Sequence, residues 1–382
     1  MTTVRSNFID ICRGLAVLGV MFHHFYFVPL TDAARLFGWE GSAHTIAMMA
    51  NNGWLGVNVF FILSGLVLFR PGIISSLTSV SEYYRVRILR LLPLYFLFIF
   101  FIALAEHRSL HRLVSDSFWL LTGLHNLVPK LQSWMPAQVL WVCWSLGIEI
   151  LFSLVLPLIV WTMTHAGVGR TVMAICAAAF LWRIGGDWTW YHLTPAHLDY
   201  KINPLKDNII GRLDDFVVGM AAAHLMQIGW RPHKALVFGA IAAFAITLLG
   251  WGYVAMSGRP LWISLLVSAL HLTFSSSVAV LMIAFARWPG WERRAWQPFV
   301  YAGVVCYSAY FVHAVLIKFV PRFDTSKYWE VAGYSWPALA GSFALFVTIT
   351  FAVAGLMFCF VESTGIRKLP RWVPTVARRD GT

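Results

Sequence analysis

The chain has 382 residues, of which 59% are hydrophobic and only 12% charged, with 19 tryptophans and a mean hydropathy of +0.69. Such a chain does not keep its apolar surface from water as a soluble domain, so it reads as a polytopic, all-α membrane protein with no appended soluble domain. The formal net charge of +12 is spread over loops between apolar runs, which suits an anionic lipid surface and excludes a nucleic-acid partner.

With about 20 residues per span plus short loops, roughly ten helices fit this length. Apolar periodicity places them at 8–30, 54–70, 91–105, 139–162, 171–186, 208–228, 235–255, 261–286, 298–320 and 336–361. An inside N-terminus puts 16 Lys and Arg residues in cytoplasmic segments against 9 outside, as the positive-inside rule requires. The first helix then serves as its own insertion signal. The outer loops 31–53, 106–138 and 187–207 are rich in Gly, Pro, Trp and His, and are expected to roof a polar central cavity. Cys12, Cys143, Cys176, Cys306 and Cys359 stand singly in apolar segments without ligand spacing. They read as reduced core residues, and no metal is expected.

In chain order, the first stretch is FIDICRGLAVLGVMFHHFYFVPL, residues 8–30. Arg13 and His24 are eleven residues apart, three helical turns plus about 20°, so they share one stripe about 16 Å long. Ionisable groups in hydrocarbon are costly and mark a pathway or a reacting centre, so this helix is expected to line the cavity, with Asp10 and His23 beside the pair. GVNVFFILSG, at Gly56–Gly65, interrupts an aromatic run with Asn58 and Ser64; its plain reading is close helix contact with one satisfied amide.

YYRVRILRLLP follows, with Arg85, Arg87 and Arg90 ahead of a proline expected to open the third span. Arg87 and Arg90 are neighbours on one helix face, a spacing that suits phosphate and also suits an ordinary cytoplasmic anchor. WSLGIEILF buries Glu149 one turn beyond Trp144 and Ser145; Arg13 or a histidine of the first helix is the natural partner for that carboxylate. In GRLDDFVVGM, Arg212 and Asp215 at i, i+3 read as a self-satisfied ion pair beside Asp214. CYSAYFVH places Tyr310 and His313 one turn apart, the pattern of a structural buried histidine.

Taken together and in order, DICRGLAVLGVMFHH, GVNVFFILSG, RILRLLP, WSLGIE, RLDDFVVGM, YSAYFVH and FVES resemble the type 3 integral-membrane acyltransferases. That family O-acetylates envelope carbohydrates of bacteria and some small molecules. The resemblance implies an O-acetyltransferase of the bacterial inner membrane, active in polysaccharide and cell-envelope modification, with acetyl-CoA as donor and a carbohydrate or lipid-linked glycan as acceptor. It puts the family's arginine, ten residues, histidine pattern on Arg13 and His24, its double arginine on Arg87 and Arg90, and its buried glutamate on Glu149. Asn58 stands where many members have Asp, and Ser363 follows Glu362 where proline is usual. By chemistry, His24 is the base, Arg13 stabilises an oxyanion or Glu149, and Arg87 and Arg90 hold the donor's phosphates. The alternatives are acylation of a small molecule such as a macrolide and, in another class, a proton-coupled transporter using the same ionisable residues.

Overall fold

The computed structural model describes residues 7–36, 51–69, 71–105, 110–126, 137–193, 203, 205–254, 261–323 and 336–363. Much of the three expected outer loops, namely 37–50, 106–109, 127–136, 194–202 and 204, lies outside the described residues, as do Arg70 and the basic segment after Ser363. Every regular element among the described residues is helical. The long ones are α1 (Asn7–Leu36), α2 (Gly56–Leu68), α3 (Leu77–Ala105), α4 (Leu110–Thr122), α5 (Ala137–Ala166), α6 (Val168–Leu193), α7 (Ile209–Gln227), α8 (Lys234–Val254), α9 (Leu261–Phe285), α10 (Gln297–Val304), α11 (Cys306–Phe319) and α12 (Trp336–Met357).

A helix occupies each of the ten stretches expected to span. Six are long and apolar enough to cross a bilayer, and a seventh crosses if the bent pair of α10 and α11 is one span. The other three fall short for identifiable reasons. α2 has 13 residues, about 20 Å of rise. α3 carries Glu82, Arg85, Arg87 and Arg90, all in its first half and ahead of an uncharged stretch at 91–105, and α7 carries Arg212, Asp214 and Asp215.

Two expected spans change most, while α1 extends beyond its expected end to Leu36 and α6 to Leu193. The helix of RILRLLP does not open at Pro93; it starts at Leu77 and passes through the proline. Ser76 caps it by accepting from the Ser79 amide at 3.1 Å, and proline inside a membrane helix is tolerated where neighbours re-satisfy the freed carbonyl. The expected continuous span 298–320 is broken by 71° between α10 and α11. Glycine and two β-branched residues in a row, Gly303, Val304 and Val305, weaken the helix there, and Val305 leaves helical geometry at φ −96° and ψ 10°.

The contacts gather into two units. The first comprises residues 1–60, 251–255 and 286–382. Here α1 buries Val17, Met21 and Phe25 against Val305, Ala309, Phe346 and Ala354, all at most 1% exposed. Close approach is built in: a methyl on Gly303 would land on the Asp10 carbonyl oxygen, and one on Gly14 on that of Phe299. These glycines let α1 and α10 pack backbone to backbone. Asn7 ties the start of α1 to the turn before α10 by donating to the Glu292 carboxylate at 2.7 Å.

The second unit comprises residues 61–250 and 256–285. The same device recurs, since Gly65 of α2 meets the Phe216 carbonyl of α7, and Gly219 of α7 meets that of Ile62. Phe216 stacks between Phe61, at 4.7 Å, and Phe152 of α5, at 3.8 Å between centroids. α3 is laid along α5 by Tyr83 and Tyr84, whose hydroxyls donate to the Ser153 and Leu154 carbonyls at 2.9 and 2.8 Å.

Of the five cysteines, all free, only Cys143 is buried, and Cys359 is exposed. The core reading therefore holds for one of them. Cys359 lies in a π-helical turn, Phe358–Glu362, at the end of α12.

Candidate active site

The residues singled out by sequence fall into two clusters, one in each unit. In the first unit, α1 presents Asp10, Arg13, His23 and His24. Arg13 pairs one turn back with Asp10 at 3.7 Å. His24 meets α11: its Nδ1 lies 3.0 Å from Nε2 of His313, and the two ring centroids are 5.2 Å apart with only 6° between their planes. His23 stands beside them, its ring 5.3 Å from that of His24. His313 is fully buried. Its Nδ1 faces the Ala309 carbonyl at 3.2 Å, and the Tyr310 ring lies edge-on to it at 5.4 Å. Asn58 is also fully buried here. One turn before Ala309, Ser308 donates to the buried Glu362 carboxylate at 3.1 Å, joining α11 to the π-helical turn.

The second unit holds the other cluster. Glu149 of α5 takes its counter-ion from α3: Arg87 Nη2 pairs with Glu149 Oε1, and the Ser64 hydroxyl of α2 donates to the same oxygen at 3.1 Å. The expected partner, Arg13 or a histidine of α1, is thus replaced by Arg87. The reason is reach, since α3 lies along α5 and Arg87 also bonds Ser153, one turn on from Glu149, through Nε at 2.9 Å and Nη2 at 2.8 Å. Arg87 is 6% exposed, so its fork is turned into the helix pair. Arg90, one turn on, is half-buried. Arg85 is exposed and closes on Glu82 at 2.7 Å, and that hydrogen bond holds the Glu82 carboxyl below its usual range.

Trp144 and Ser145 sit on the same helix as Glu149. The Ser145 hydroxyl returns to the Val142 carbonyl at 3.2 Å. The Arg212 guanidinium lies over the Trp144 ring at 5.7 Å, a cation–π contact. The expected Arg212–Asp215 pair is not the one formed. Arg212 pairs instead with Asp207, just before α7, at 2.5 Å, and donates to Nδ1 of His271 in α9 at 3.0 Å. Asp214 pairs with Arg183 of α6 at 2.7 Å, while Asp215 faces His271 Nε2 at 3.1 Å and accepts from Ser275. Asp187, on the last turns of α6, takes Lys206 at 3.0 Å and Ser264 at 2.8 Å.

Ligand atoms of Asp214, Asp215 and His271 lie within 4.8 Å of one another, close enough for a metal. Two guanidinium groups already occupy this cluster, however, and the His271 Nδ1 lone pair is spent on Arg212, so its chemistry is that of a closed ion-pair network. Sequence reasoning passed over Arg183, Asp187 and His271. Arg183 and His271 are ionisable residues inside long apolar runs, the signal that would have found them, whereas Asp187 falls in a stretch expected to be an outer loop.

The two clusters offer different chemistry. Paired imidazoles in an apolar setting suit proton transfer, and a buried arginine–glutamate–serine set beside a second arginine suits anion handling. No curated protein and no solved structure matches the chain. A family model described as an acyltransferase domain matches residues 6–359, from the first turn of α1 to the π-helical turn. The chain belongs to the type 3 acyltransferase family.

Proposed function

We propose that this membrane acyltransferase moves an acetyl group from cytoplasmic acetyl-CoA to a hydroxyl of a carbohydrate acceptor, free or lipid-linked, at the outer face of a bacterial inner membrane. The observation that carries this reading is the His24–His313 pair inside a membrane helix bundle, at 3.0 Å, a proton-accepting centre where charge is expensive. The acceptor oxygen attacks the thioester carbonyl carbon as His24 takes its proton. The C–S bond then breaks, and the imidazolium of His24 gives the proton it took to the departing CoA thiolate, which leaves as the thiol and restores the base. Ten spans around a polar central cavity, with the N-terminus inside, belong to the same proposal.

Arg13 is assigned to the oxyanion side of the reaction. The donor's phosphates are assigned to Arg90 in the first place. The charge of Arg87 is already matched by Glu149, so a phosphate must compete for it, and Arg87 serves mainly to fix α3 against α5. Ser64 and Glu149 complete that fixture.

The test is release of free CoA, and of labelled acetate bound to glycan, from acetyl-CoA supplied to membranes carrying the full chain. His24→Ala is expected to lose at least about 100-fold in turnover, the lower end of general-base contributions, while inserting normally. His23→Ala is expected to lose much less. Near-normal turnover in the His24 variant would remove the base from the scheme.

A further inference from the structure

We infer that His313 is a positioning residue that fixes the proton of His24 on Nδ1 and thereby places the reactive lone pair on Nε2. The inference rests on the reading of His24 as the base.

It follows from counting donors along a short chain. A carbonyl oxygen only accepts, so the nitrogen of His313 that faces the Ala309 carbonyl at 3.2 Å, Nδ1, carries a hydrogen. With one proton per ring, Nε2 of His313 is then a lone-pair acceptor. It lies 3.0 Å from Nδ1 of His24, within hydrogen-bond range, so that nitrogen must supply the hydrogen. The proton on His24 is thus held at Nδ1, and the ring's remaining lone pair is the one on Nε2, the atom to which this scheme assigns proton transfer. When Nε2 takes the proton, the imidazolium still donates through Nδ1 to His313, which spreads the new charge over a neutral acceptor.

The alternative tautomer is blocked by the same geometry. A hydrogen on Nε2 of His24 would leave two lone pairs facing each other at 3.0 Å. The ring planes lie 6° apart with their centroids 5.2 Å apart, so the two nitrogens meet edge to edge and the N–H of one ring points in its plane at the lone pair of the other. A backbone carbonyl thereby sets the tautomer of a catalytic histidine through a second histidine, in the position that a carboxylate fills in serine hydrolases. His313 touches neither donor nor acceptor in this scheme and acts only through His24.

Two substitutions separate orientation from packing. His313→Gln sets an amide oxygen near the Nε2 position and keeps the acceptor, whereas His313→Leu fills the space without one. The first readout needs no substrate: 15N spectra of histidine-labelled full-length protein in lipid nanodiscs, with the His24 signals assigned by their loss in His24→Ala. The wild type is expected to show His24 protonated on Nδ1. His313→Gln is expected to keep that form, and His313→Leu to move toward protonation on Nε2. A wild-type His24 protonated on Nε2, or a leucine variant with an unchanged tautomer, overturns the inference.

The second readout is acetyl-CoA turnover. His313→Leu is expected to lower kcat about 100-fold with the KM for acetyl-CoA within about twofold, and His313→Gln to recover at least about tenfold of that loss. Equal losses in the two variants would mark a packing role and overturn the inference. If the leucine variant does not fold, the glutamine variant decides: turnover within about tenfold of wild type supports the acceptor role, and a loss as deep as that of His24→Ala overturns it. A fully active His24→Ala would instead sink the base assignment and leave the tautomer result standing.

Discussion

Removing either member of the Arg87–Glu149 pair is expected to cost stability, and removing both is expected to restore most of it. The two side chains are 8% and 14% exposed, so the pair sits largely out of water. Arg87→Met leaves Glu149 charged with the Ser64 bond at 3.1 Å, and a stranded buried charge costs about 3–5 kcal/mol. Glu149→Leu strands the buried Arg87 in turn, and about 3–5 kcal/mol is expected, toward the lower end because Arg87 keeps both bonds to Ser153. The double variant replaces the pair by apolar side chains and is expected to lose less than either single, since such replacements are often neutral. At about 2 cal/mol/K of unfolding entropy per residue, a 382-residue chain loses about 5 °C in Tm for about 4 kcal/mol. The shift should be larger still if helices persist in the unfolded membrane state. The assay is a double-mutant cycle of melting temperatures in one detergent. Single-variant losses that simply add in the double variant would refute the pairing.

Arg90→Gln is expected to raise the KM for acetyl-CoA at least about tenfold, the loss of one charge-assisted phosphate contact, with little change for the acceptor; an unchanged donor KM would return Arg90 to the role of a membrane anchor. Gly303→Ala should destabilise by about 1–3 kcal/mol, because its methyl collides with the Asp10 carbonyl, whereas Gly239→Ala, with nothing within 4 Å of the added atom, should be neutral or slightly stabilising. Melting temperatures that rank the two the other way would contradict the α1–α10 packing. For topology, single cysteines at Thr78 and His192, in a background lacking the five native ones, should react with an impermeant thiol reagent on intact cells only at position 192; labelling at 78 alone inverts the chain.

What the sequence made legible was whatever depended on local periodicity. A spacing of eleven residues put Arg13 and His24 on one stripe because helical phase is a local property, and the ten apolar stretches marked helices for the same reason. Partner choice is not local. The partner of His24 lies 289 residues away and that of Glu149 lies 62 residues back, at distances where no periodicity constrains which charges meet. The Arg212–Asp215 reading failed through its own logic: i, i+3 spacing permits contact, but Asp207, just outside the helix, is the partner the arginine takes at 2.5 Å. The bend at Val305 carries no proline and only a neighbouring glycine, so its signal in GVV is faint. Family resemblance supplied what composition and spacing lacked, a reason to rank Arg13, His24, Arg87 and Glu149 above other polar residues in apolar runs.

The energetics of the pairs bear on which group transfers a proton. Arg13 with Asp10, Arg87 with Glu149, Arg183 with Asp214 and Arg212 with Asp207 are all cation–carboxylate pairs in or beside membrane helices. Protonating a carboxylate in such a pair strands its cation, at about 3–5 kcal/mol, so none of these acids is suited to taking a proton in every turnover. The His24–His313 contact differs in kind. It joins two imidazoles and no carboxylate, and in the proposed scheme a proton added to His24 keeps the hydrogen bond between them and strengthens it, because a charged donor bonds more tightly than a neutral one. A group that gains charge without breaking a pair is the one on which a repeated proton transfer costs least. In the proposed scheme the ion pairs then hold α1, α3, α6 and α7 in place while His24 takes up and returns the proton.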